Sequence, residues 1–188
     1  MRSRLPDYTV RTAAVALMSV VLVACRSDSV VDPVDPEHQH HTNPTVAASV
    51  SGAIKADVAR LRNVVAPLHQ LSAAQEAGFN LALSPCVASP AGGMGFHWGN
   101  MSRIDATVKW DEPEVLVFAP SPDSKDGVKL AAVEYIVPMA LSAQAPVLFG
   151  ETFVPGGPGN SMWTLHVWVG IHNPAGIFAP WNPRVSCP

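Results

Sequence analysis

The chain reads as an α+β domain, with one or two N-terminal helices packed on a mainly antiparallel β-sheet. Three observations point there: an early apolar stripe at helical spacing, two strand-like runs around a turn-rich segment, and a late run rich in β-branched and aromatic residues. The stripe is Ile54, Val58, Leu61, Val65 and Leu68, with Lys55, Arg60 and Arg62 falling off it. Pro67 divides this helix from a second, for which Ser72-Ala73-Ala74-Gln75 supplies a capping-box pattern and Gly78 a stop. One apolar stripe needs a partner surface, so the helices are expected on one face of the sheet that follows.

Residues 115–118 and 130–137 flank the turn-rich segment 120–127, which is the pattern of a hairpin. Residues 163–171 form a further strand, and Phe96-His97-Trp98 a short one. In the late strand, alternation puts Leu165, Val167, Val169 and Ile171 on one face and His166, Trp168 and His172 on the other. In the hairpin, Leu130, Ala132, Glu134 and Ile136 share a face, so Glu134 stands among apolar neighbours. Residues 173–188, with four prolines, read as irregular and pinned by Cys187.

The N-terminal residues carry an address. Arg2, Arg4 and Arg11 form a positive start, residues 12–23 are apolar but too short for an ordinary spanning helix, and Leu22-Val23-Ala24-Cys25 closes the run. This stretch resembles a bacterial lipoprotein signal peptide with its lipobox. The resemblance implies a cleaved signal (1–24), a lipid-modified Cys25, and a protein lying outside the cytoplasm and tethered to the cell envelope. Arg26, where inner-membrane lipoproteins often carry Asp, leans the resemblance toward the outer membrane. An uncleaved anchor helix and a non-lipidated signal are the competing readings. Asp32-Pro33, Asp35-Pro36 and Asn43-Pro44 mark residues 25–51 as a flexible tether ahead of a single domain, 52–188. The tract Glu37-His38-Gln39-His40-His41 within it is either a polar linker or a collector of transition metal.

The chain has a net charge of −3 at pH 7, and the portion from Cys25 onward carries 9 Lys+Arg against 14 Asp+Glu. A mildly acidic domain without a basic cluster argues against nucleic acid and against electrostatic docking on anionic lipid. The membrane partner is expected through the N-terminal lipid alone. With Cys25 committed to lipid, Cys86 and Cys187 are expected to form a disulfide in an oxidising compartment. The competing reading, a thiol metal or redox site, lacks C-x-x-C spacing.

Two segments stand out for chemistry: Cys86-Val87 with Gly92-Gly93-Met94-Gly95-Phe96-His97-Trp98-Gly99-Asn100, and Leu165-His166-Val167-Trp168 with residues 173–187. Together with Pro113-Glu114-Val115-Leu116 and Val133-Glu134-Tyr135, they resemble a family of secreted bacterial proteins of undetermined activity. The likeness spans about residues 55–187 and implies a shared fold.

From the residues themselves, two function classes compete. In the first, His97, His166 and Glu134 converge, either to hold a divalent transition metal with an open position or to act as an acid/base group. The plainer account of the same residues is two partly buried histidines satisfied by backbone or by Glu134. In the second class the domain is a non-catalytic binding module. Its tryptophan-lined cleft takes a small apolar or sugar-like ligand, with Trp98, Trp168 and Asn100 as contacts. The sequence contains no H-E-x-x-H or G-x-S-x-G motif, and Gly92-Gly93-Met94-Gly95 lacks the Lys-Ser/Thr of a phosphate loop. Whether the protein is an enzyme is left open at this level.

Overall fold

A computed structural model describes residues 44–188, with side chains from Ser51 onward. The lipobox at Cys25 and the tract from His38 to His41 lie outside the described residues.

Helix α1 (Pro44–Val65) ends where the sequence requires, because Pro67 cannot continue the helical bonding and the chain tightens into a 3-10 turn at Ala66–Leu68. Its start corrects the expected boundary: residues 44–51, read as tether, are helical. The step Asn43-Pro44 is a turn signal, but proline is also favoured in the first turn of a helix. Helix α2 (Leu71–Glu76) is not started by the Ser72 capping box. Its preceding residue Gln70 makes no side-chain cap, and Asp126 from a later turn accepts from both the Ser72 amide and hydroxyl, each at 3.1 Å.

The strands are β1 (Leu81–Ser89), β2 (Gly92–Gly99), β3 (Val115–Pro120), β4 (Val128–Pro138), β5 (Val147–Leu148), β6 (Glu151–Thr152), β7 (Val154–Gly156) and β8 (Met162–Trp168). Six form one sheet in the order β1-β2-β3-β4-β8-β7, antiparallel throughout, while β5 and β6 pair separately. The fold is therefore α+β, and the β3-β4 hairpin is the one read from the sequence. Strand β1 was not anticipated: it is an edge strand, mostly exposed and interrupted by Pro85, so it carries no apolar alternation.

The helix-facing core joins Val58, Leu61 and Val65 to Leu116, Phe118, Val133, Tyr135, Leu165 and Val167. Each such fully buried side chain contributes roughly 1.5–3 kcal/mol. The opposite face carries Val115, Val117, Ala119, Ala131, Ala132, Ile136, Trp168 and Val185. Leu130 departs from the expected parity. The register slips between Val117 and Phe118, which pair with Ala132 and Leu130, so a bulge at Ala131 turns Leu130 to the helix side. The late strand also stops at Trp168 rather than Ile171, and beyond it the amides of Gly170 and Ile171 both donate to Ala131 O. His172 is consequently exposed and Ile171 joins the second face, against the expected alternation.

That second face is crossed by residues 169–188, which we call the strap. It is held by Trp168 N to Ile177 O (2.9 Å), by Trp168 Nε1 to Ala179 O (2.6 Å) and by a two-way exchange between Gly93 and Asn182. It ends at a Cys86–Cys187 disulfide with a Cα–Cα distance of 5.6 Å. Glycine is required under it. Gly92 has φ +124°, and a Cβ there would lie 2.3 Å from Asn182 O.

Candidate functional site

His97, Glu134 and His166 come together on the strap side of the sheet. His97 projects from β2, and Glu134 and His166 are direct cross-strand partners on β4 and β8. Val115 and Val117 of β3 lie between them, Val117 opposite His97 and Val115 opposite Glu134. The close approach of β2 and β3 beside His97 depends on Gly95. Its φ is +119° and a Cβ would sit 2.5 Å from Phe118 O.

One ligand atom from each of the three residues lies within 4.8 Å of the others. His97 Nε2 is 3.7 Å from Glu134 Oε2, the two imidazoles stack with centroids 5.5 Å apart, and the Trp168 ring stands 5.7 Å from His166. His97 and His166 are 6% and 5% exposed, and the Glu134 side chain 16%.

The hydrogen-bond inventory decides what faces this centre. His166 Nδ1 lies 3.4 Å from the carbonyl of Pro180, which can only accept, so Nδ1 carries the proton and Nε2 presents a lone pair. His97 Nδ1 lies 2.8 Å from Ser84 Oγ, and the same oxygen lies 3.0 Å from the Pro85 carbonyl, which can only accept. In the arrangement that gives the Ser84 hydrogen to Pro85 O, Ser84 accepts from His97 and the Nε2 of His97 presents a lone pair. The centre thus gathers two imidazole acceptors and a carboxyl group that brings at most one proton between them. His166 Nε2 is buried without any hydrogen-bond partner, a condition shared among the described residues only by Gln70 Oε1.

Burial governs the protonation of all three. It pulls His97 down to about 4, against a small upward pull from the Gly95 carbonyl. It pulls His166 down to about 3, with the neighbouring His97 adding to the effect. Glu134 is pushed up to about 7 by burial and then by the nearby Glu114. An ion pair between His97 and Glu134 would raise the first and lower the second. The opposite directions show that desolvation outweighs their attraction across 3.7 Å, so the contact is not an ion pair.

The other candidate contacts fall elsewhere. Trp98, next to His97 in β2, points to the opposite face and packs on the helix-side core with Trp163. Trp168 is beside the triad but has its indole N–H committed to Ala179 O. Asn100 is buried and caps the turn at Met101–Arg103, its Oδ1 accepting from the Ser102 amide and hydroxyl. Trp110 lies under the Arg60 guanidinium. The tryptophans thus spread over both faces, Trp98 and Trp163 on the helix side and Trp168 beside the triad.

Two polar residues of consequence escaped the sequence reading. Ser84 gave no signal because β1 has no apolar periodicity. Glu114 is 2% exposed and accepts from the Ile136 amide at 3.1 Å, standing in for a backbone carbonyl where the β3-β4 ladder runs out. Burial pushes its carboxyl up to about 7. No protein-family model, curated protein or solved structure matches the chain.

Proposed function

We propose that the domain is a metal-binding module in which His97, Glu134 and His166 hold one divalent transition-metal ion. The same reading makes it an extracytoplasmic lipoprotein, tethered through Cys25 to the outer membrane. The observation that carries the metal reading is the buried, unpartnered His166 Nε2 in a cluster of three ligand atoms that share at most one proton. A proton shared with Glu134 satisfies at most one of the two imidazoles. A cation satisfies both nitrogens and the carboxylate together, and it removes the desolvation that holds Glu134 protonated.

Ligand atoms on one tetrahedral ion with bonds of about 2.1 Å lie about 3.4 Å apart, so a pair at the 4.8 Å limit must draw in by roughly 1.4 Å when metal binds. Two imidazoles and one carboxylate, with no thiolate, suit zinc, copper, iron or nickel. Three protein ligands leave a position for water or a small ligand. The address rests on the lipobox, and the Cys86–Cys187 disulfide agrees with an oxidising compartment. No helix among the described residues is long and apolar enough to cross a membrane.

Elemental analysis of the purified, untagged protein tests the metal reading. The expected result is about one equivalent of a transition metal, lost in His97→Ala. Equal metal in the two proteins counts against it.

A further inference from the structure

We infer that Ser84 is a positioning residue for this centre. Its hydroxyl holds His97 as the Nδ1–H tautomer and so turns the Nε2 lone pair toward Glu134 and His166. The inference rests on the metal reading above and adds to it the residue that prepares one ligand.

Four features converge on Ser84. It is the direct cross-strand partner of His97, although β1 is otherwise irregular. The register slips on both sides of it, between Ala82 and Ser84 and again between Ser84 and Val87. Bulges of this kind re-aim a side chain, and here the residue between them faces a buried imidazole. The hydroxyl has a second partner in Pro85 O at 3.0 Å, which can take its hydrogen and leave the oxygen to accept from His97 Nδ1 at 2.8 Å. Finally, the second slip contains Cys86, whose bond to Cys187 fixes that part of an exposed edge strand. Ordering an edge strand around one hydroxyl costs conformational entropy, and a histidine aimed at a metal is the use that this arrangement serves.

The alternative role, a hydroxyl that merely satisfies a buried nitrogen, predicts a different result when metal is offered. The experiment has two parts. In the metal-free protein, long-range 1H–15N correlation reads the His97 tautomer directly. Wild type is expected in the Nδ1–H form, with the population shifting toward Nε2–H in Ser84→Ala. The metal-free protein is then titrated with Co2+, following its visible ligand-field bands.

Ser84→Ala is expected to bind Co2+ about 10–100-fold more weakly, with shifted bands. Ser84→Thr keeps a hydroxyl and is expected to restore both. Because Ser84 is half-buried on an edge strand, neither variant removes core packing. Wild-type bands with unchanged affinity and spectrum in Ser84→Ala overturn this inference and leave the metal reading intact. Absence of bands in wild type overturns the metal reading, and this inference with it.

Discussion

A single atom, His166 Nε2, carries the metal proposal. Its neighbours on the sheet face are Glu134, raised by burial to about 7, and His97, held neutral, so the one proton the carboxyl can offer serves at most one of the two imidazoles. The pH dependence of the metal-free protein follows from the same three groups and Glu114. Stability rises with pH wherever the unfolded chain holds more protons than the folded one. For His97 and His166, lowered from 6.5 to about 4 and about 3, that is the interval below 6.5, so their contribution is lost as pH falls through it. For Glu134 and Glu114, raised from 4.5 to about 7, the folded chain holds the extra protons. Their contribution is complete below 4.5 and lost as pH rises toward 7. The two pairs oppose one another between 4.5 and 6.5. The urea midpoint of the metal-free protein is therefore expected to be nearly flat there, to fall toward pH 4, and to fall again on approaching pH 7. With saturating Zn2+ the carboxylate is the stable form of Glu134, and the gain from metal should grow with pH. A metal-free midpoint that climbs steadily through pH 7 contradicts this assignment of charges. Gly95 gives a second test at this scale. Gly95→Ala meets both a positive φ and the Phe118 carbonyl, so it should destabilise by about 1–3 kcal/mol or more, measured by urea unfolding.

Among the elements, the strap and β1 matter most, and both answer to one disulfide. Cys86 lies two residues beyond Ser84, which orients His97, and Cys187 ends the strap whose Pro180 carbonyl orients His166. Both cysteines should resist thiol reagents until reduced, as counted by free-thiol titration. Replacing them with serine should cost about 2–5 kcal/mol, since the bridge closes a separation of 101 residues. Metal affinity should fall as well, because both orienting partners lose their anchor. A double variant with wild-type affinity would show that the bridge serves stability alone. These elements were also the least legible in the sequence. Helix α1 announces itself by one buried face, which writes a period of 3.6 into the chain, whereas the β3-β4 hairpin and β8 are buried on both faces and announce themselves as continuous apolar, β-branched runs. Strand β1 lies on an edge and buries little, and the strap is held by backbone bonds and prolines, so neither writes a period. Parity arguments held for His166, Trp168 and Glu134 but failed for Leu130, because a bulge inserts one residue without leaving a compositional mark.

At the scale of the whole molecule, a proposed lipid address is joined to a proposed metal site. The triad was legible because a glutamate with core parity needs a partner and two histidines lay in glycine- or tryptophan-rich strand runs, while Trp98, adjacent to His97 in β2, falls by alternation on the opposite face. The address is tested separately: Cys25→Ser should lose acyl labelling and leave the membrane fraction, and undiminished retention would defeat the lipoprotein proposal. The central claim is metal held by the sheet rather than by the histidines at 38, 40 and 41. Calorimetric titration of the metal-free protein with Zn2+ decides it most directly, comparing His166→Ala with a variant in which His38, His40 and His41 are all glutamine. One tight site is expected to survive the triple substitution and to disappear in His166→Ala. Tight binding that persists in His166→Ala and vanishes in the triple variant would contradict it.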